Sequence, residues 1–130
     1  VPVGWKEPIV NADERYAEGD GFHAFEFGGK TLTTAICGDL WHDHFLEAIS
    51  QVPSDLILWP LYVDFSPEDW LAEERQVYAE RVAGLNRPVL MINSYLPDAE
   101  RAKGGCCVFE GGKVTHELPM GEPGLLTVEL

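Results

Sequence analysis

Three short runs of apolar and β-branched residues, at 31–37, 55–59 and 89–93, alternate with two segments whose apolar residues recur at helical spacing. The first segment, residues 43–52, lines up Phe45, Leu46, Ile49 and Val52. The second starts with good helix chemistry: Ser66 offers a capping hydroxyl, Pro67 occupies the first helical position and Asp69 puts an acid in the first turn. Its apolar face is Trp70, Leu71, Val77, Tyr78, Val82 and Leu85, and residues 86–88 end it before the third run. This strand–helix–strand–helix–strand order predicts an α/β architecture. The runs AIC, LILW and VLMIN are apolar on both faces, as inner strands covered on both sides must be. Two helices are few for that task, so one sheet face is expected to pack against something outside these residues, either a further segment or a second subunit.

Hairpins flank this core. Residues 22–27 alternate aromatic with polar side chains and meet the first run through Gly28–Gly29, while residues 106–110 and 114–118 are joined by Gly111–Gly112. Residues 125–130 read as a last strand. The chain carries 22 acidic and 9 basic side chains, a formal charge of −13, which repels nucleic-acid phosphates and anionic lipid. No apolar run approaches the roughly 20 residues that cross a bilayer, and VPVGWKEP lacks the make-up of a signal peptide. A cytoplasmic protein without nucleic-acid or membrane partners is expected. The 3 cysteines form no Cys-x-x-Cys pair, so neither a disulfide framework nor a zinc site is suggested.

Ligands of α/β sheets bind at the carboxyl ends of strands, and three such ends carry polar or reactive groups: Cys37–Gly38–Asp39, residues 59–64 and residues 93–95. A cysteine on a sharp strand-to-helix turn is exposed near helix amides, and the next backbone N–H can bind an oxyanion. Cys37 followed by Gly38 fits that description; it equally fits a small buried hydrophobe. A thiol hydrolase also needs a base, and spacing does not choose among His23, His42, His44 and His116. His42 and His44 with Asp39 and Asp43 suggest a solvated helix start sooner than a metal site. Cys106 and Cys107 alternate faces of a strand and read as structural.

The segments GGKTLTTAICGDLW, DLILWP, AERVAGLNRPVLMINS and GGCCVFEGGKV, in unbroken order, resemble the C-terminal half of the nitrilase (carbon–nitrogen hydrolase) superfamily. That resemblance implies half of a four-layer αββα sandwich, a homo-oligomer, no metal or other cofactor, and cleavage of a small-molecule amide or nitrile through a cysteine thioester. It assigns the nucleophile to Cys37, an oxyanion-binding amide to Gly38, the catalytic lysine to Lys6 and a supporting glutamate to Glu14. Arg81 matches a structural position. Trp59, Tyr62, Asn93 and Tyr95 are expected to line the substrate pocket. Residues 1–130 then form the C-terminal portion of the domain, and the family's general-base glutamate belongs to an N-terminal portion absent from this sequence. Gly38 stands where an aromatic is common, Val82 where alanine is, and Cys106 where serine is. Two other readings stay open: a Cys–His elbow hydrolase resembling class I amidotransferases, with His116 as one possible base, and a non-catalytic half-domain that packs against a partner chain.

Overall fold

Gly28 and Gly29, with φ of 60° and 79°, close a two-residue turn of the kind whose twist suits a hairpin, and Gly111 and Gly112 repeat it at 58° and 80°. The computed structural model describes residues 19–129. The first turn joins β1 (Ala24–Phe27) to β2 (Lys30–Thr34), and the second joins β5 (Cys106–Glu110) to β6 (Lys113–Leu118). Between them lie β3 (Leu56–Leu61) and β4 (Val89–Asn93). All six form one sheet in the order β1-β2-β3-β4-β5-β6, with β2, β3 and β4 mutually parallel and the outer pairs antiparallel.

The crossover from β2 to β3 contains a 3-10 turn (Cys37–Trp41) and α1 (Asp43–Ser50). The crossover to β4 contains α2 (Pro67–Asp69), a π-helical turn (Trp70–Glu74), α3 (Arg75–Arg81) and a 3-10 turn (Ala83–Leu85). Ser66 caps the start as expected, its hydroxyl accepting the Asp69 N–H at 3.1 Å. The wide π turn absorbs one extra residue, which brings Trp70 onto the same face as Tyr78, their ring centroids 5.1 Å apart. Leu71 and Val77, expected on that face, are instead exposed.

One sheet face carries the core. Ile57, Trp59, Met91 and Phe109 pack there against Leu40 and Ile49 of the first crossover and Tyr78 and Val82 of the second. The opposite face presents Leu58, Leu90, Ile92 and Val108, over which no described helix lies, and Ile92 is 58% exposed. Covering one face only agrees with the shortage of helices in the sequence. Residues 125–129 form no strand, contrary to the expectation of a last strand there. Their backbone meets no ladder; instead Leu126 and Val128 reach the open face and line, with Leu58, Leu90 and Val108, a cavity of about 360 Å³.

β3 runs through Pro60 to Leu61, two residues past the end expected at Trp59. Residues 56, 58 and 60 turn their backbone polar groups toward β2, as the Ala35 N–H bond to the Leu58 carbonyl shows. The β2 ladder stops at Thr34 opposite Leu58, so nothing there asks Pro60 for a hydrogen.

Gly105 must stay glycine. Its φ is +89°, and an added Cβ would lie 3.0 Å from the Met120 nitrogen and 3.1 Å from the Leu118 carbonyl oxygen. Gly105→Ala is expected to cost about 2 kcal/mol or more, from left-handed strain plus the clash, read as a lower urea midpoint.

Candidate active site

β2 ends where Cys37 turns the chain, and Cys37 does so in the left-handed region, at φ 46°. A non-glycine residue there carries strain that its surroundings must hold. Hydrogen bonds anchor the residues on both sides. The Ile36 N–H donates to Asp39 Oδ2 at 2.9 Å, and the Asp39 N–H returns to the Ile36 carbonyl at 3.0 Å. The Trp59 indole N–H donates to the Cys37 carbonyl at 2.9 Å. Arg81 Nε–H donates to the Leu40 carbonyl at 2.6 Å, its Nη2 reaches Asp43 at 2.9 Å, and its guanidinium lies 5.6 Å from the Trp41 ring centroid. Below sits an aromatic floor in which Tyr78 stacks on Trp59, with centroids 5.5 Å apart, and meets Trp41 edge-on at 4.9 Å. Burial, reinforced by Cys37 and Glu74, pushes the Tyr78 phenol up to about 12.

Asp39 is 1% exposed, and its second oxygen, Oδ1, has no hydrogen-bond partner among the described residues. Burial raises its carboxyl above the ordinary value of 3.8, against the opposing pull of the Ile36 N–H and His42. The folded state therefore binds this proton more tightly than the unfolded chain does, and the Asp39 contribution to stability falls as pH rises from 3.8 through the higher folded value. An Asp39→Asn variant, lacking this titration, is expected to gain on the parent between pH 4 and pH 7 in paired thermal melts. Parallel melting curves would refute this.

A cavity of about 480 Å³ opens over the carboxyl ends of β2, β3 and β4, bounded by Ile36, Cys37, Pro60, Tyr62, Ile92 and Asn93, with Leu61 and Ser94. Cys37 is half-buried at its edge. Gly38 follows at the first step of the 3-10 turn. Tyr62 stands at the rim, its phenol held above the ordinary value by partial burial and by a bond to Asp64, whose carboxylate lies 3.9 Å from Arg101. A larger cavity of about 680 Å³ lies at the opposite end of the strands, but Arg87 there is consumed by the carbonyls of Ser50, Val52 and Leu85 and by the Ser54 hydroxyl.

The residues expected around the pocket thus divide. Cys37, Tyr62 and Asn93 share one cavity. Trp59 is fully buried, because its strand position faces the helices, and it supports the cysteine turn from beneath without lining the cavity. Tyr95 leaves the sheet in a bridge to Lys103 and lines a neighbouring cavity, 64% exposed. Lys6 and Glu14 lie outside the described residues. His116 is on β6, four strand steps from β2, about 19 Å at the usual strand spacing. Among the described residues no group of three or more His, Cys, Asp or Glu could hold a metal ion. Sequence reasoning placed Asp39 at a reactive strand end and in a solvated helix start, but not as the buried partner of the Ile36 N–H. Its signal was a carboxylate three residues after Ile36, the spacing of a local side-chain-to-backbone bond.

No family model and no curated protein matches the chain. Solved structures do. The NitN amidase from Nesterenkonia sp. AN1 superposes with a TM-score of 0.71 at 21% identity, covering 99% of this chain and 49% of its own. A mutant of the Nesterenkonia amidase in which acrylamide has added to the active site cysteine gives 0.67 at 21% identity, with 88% and 45% covered. Glutamine-dependent NAD+ synthetase from Acinetobacter baumannii gives 0.67 at 18% identity, with 95% and 24% covered. The fold is shared with part of a nitrilase-superfamily amidase. The chain spans from a quarter to a half of the length of these structures. No described helix is long and apolar enough to cross a membrane.

Proposed function

We propose that the chain is the C-terminal portion of a carbon–nitrogen hydrolase acting on a small amide or nitrile, with Cys37 as nucleophile. A single observation carries this reading: a cysteine held in a strained turn at the end of a parallel strand, bordering a cavity. The base glutamate would come from the N-terminal portion, deprotonating Cys37. The thiolate then attacks the amide carbon, the Gly38 N–H and the Lys6 ammonium stabilise the oxyanion, the amine departs with a proton, and water releases the acid from the thioester. Glu14 would orient Lys6. The chemistry calls for no metal or other cofactor.

Support comes from the shared fold and from the Nesterenkonia amidase, a mutant of which shows Michael addition of acrylamide at the active site cysteine and a cysteine-to-alanine mutant of which is in complex with butyramide. The test is ammonia release from butyramide by the complete polypeptide, together with the rate at which iodoacetamide labels Cys37. Turnover with labelling faster than free cysteine supports the proposal; no turnover with labelling at the free-thiol rate sinks it.

The half-domain reading has its own observation in the open sheet face, where Phe25, Phe27 and Ile92 remain exposed. It is compatible with catalysis if the partner surface is the N-terminal portion of the same enzyme or a second chain, and a homo-oligomer fits the same face. The Cys–His alternative is disfavoured for His116 by its distance across the sheet.

A further inference from the structure

Asn93 ends β4 with its side chain 6% exposed and turned to its own backbone surroundings. Its Oδ1 accepts the Val63 N–H at 3.0 Å, and its Nδ2 donates to the Gly104 carbonyl at 3.0 Å. Two loops leave the sheet at this point: the one after β3, which carries Tyr62 and Asp64, and the one that returns from β4 to β5 through Arg101 and Lys103. Neither loop contributes more than an isolated bridge to regular structure. The neighbouring Ser94 adds a second tie, its N–H and hydroxyl both donating to the Leu61 carbonyl at 3.0 and 3.1 Å. The side chain of Asn93 is therefore a cross-brace between two loops, one of which forms the rim of the Cys37 cavity.

We infer that Asn93 is a positioning residue which sets the width of the Cys37 cavity by holding the Tyr62 loop against the Gly104 segment, and so limits the size of the acyl or amine group admitted. This rests on the reading of Cys37 as the reactive thiol, but not on turnover of any amide. Asn93 gives its oxygen to Val63 and one amide hydrogen to Gly104, main-chain groups of two different loops, so the bonds it makes act on the loops it joins. Only an amide fits both partners. A carboxylate of the same shape still accepts from Val63 and so keeps the rim loop tied, whereas leucine, close in volume, offers neither an acceptor to Val63 nor a donor to Gly104 and frees both loops from the side chain.

The experiment compares labelling of Cys37 in the complete polypeptide by chloroacetamide and by N-benzyl chloroacetamide, in the parent, in Asn93→Leu and in Asn93→Asp, followed by intact mass. Releasing the brace in the leucine variant is expected to favour the bulky reagent, shifting the ratio of the two rates by about threefold or more, while Asn93→Asp, which keeps the Val63 bond, stays closer to the parent ratio. An unchanged ratio overturns the inference, as does a proportional loss of both rates, which would mark Asn93 as merely structural. Hydrogen exchange in the parent provides a check that needs no variant. Slow exchange at the Val63 amide is expected, and exchange at the rate of an open loop overturns the brace. Failure of the proposed function shows differently, as absence of butyramide turnover in the parent with the labelling ratio still sensitive to Asn93.

Discussion

Exchange of Cys37 for alanine in the complete polypeptide is expected to lower amide hydrolysis by about 10⁴-fold or more, the scale on which removal of a covalent nucleophile acts. The fold should survive, because Cys37 is half-buried and the turn is anchored through the main chain of Ile36, Cys37 and Asp39. Glycine at the same position separates chemistry from conformation. It too removes the thiol, but it relieves the left-handed strain of about 1–2 kcal/mol, offset in part by greater backbone freedom in the unfolded chain. Cys37→Gly should therefore match Cys37→Ala in lost activity and exceed it in urea midpoint. Retained turnover in either variant would move the nucleophile elsewhere, and a glycine variant less stable than the alanine one would mean that the turn is unstrained.

Trp59 gives the largest expected effect on stability. It is fully buried among Trp41, Tyr78 and the strands on either side, so Trp59→Ala should cost about 3–5 kcal/mol through the cavity it leaves. Against a total stability of about 5–15 kcal/mol, that loss brings the chain close to unfolding at moderate temperature. Trp59→Phe is the informative partner. It keeps most of the ring volume and deletes the N–H that reaches the Cys37 carbonyl, leaving that carbonyl to find water or go unpaired, at about 1–2 kcal/mol. The phenylalanine variant should fold, melt several degrees lower and label more slowly at Cys37, since the turn loses its anchor from β3. Parent-like labelling would show that Asp39 and Arg81 hold the turn without help.

Much of this fold is legible in the sequence, because periodicity reports faces. The continuous apolar runs at 55–59 and 89–93, the cap at Ser66 and the paired glycines all act within a few residues of themselves, and the strands and turns they imply are present. Where local signals were outweighed, the cause is tertiary. Pro60 stays in its strand because β2 has already turned away, a fact about a neighbour 26 residues upstream and not about Pro60. Leu71 and Val77 lose the helix face to Trp70 and Tyr78 once a π turn shifts the register, and no hydropathy pattern announces such a turn. Residues 125–129 pair with neither edge of the sheet, and Leu126 and Val128 go to its open face instead. The site shows the same division. Cys37 stands out by residue type and neighbours, whereas the pairing of Asn93 with Val63 and Gly104, or of Trp59 with the Cys37 carbonyl, joins atoms 11 to 30 residues apart. Sequence spacing carries no record of such bonds.

Strand order in the sheet is also the order of strands along the chain. Each strand leaving the ribosome therefore meets a sheet whose growing edge is the strand made just before it, and no strand must wait for a distant successor before it can pair. Assembly can follow synthesis, at about 5–20 residues per second, one strand after another. Once β2 and β3 are paired, the anchor from Trp59 to Cys37 can form, so the cysteine turn is set before β4, β5 and β6 are in place.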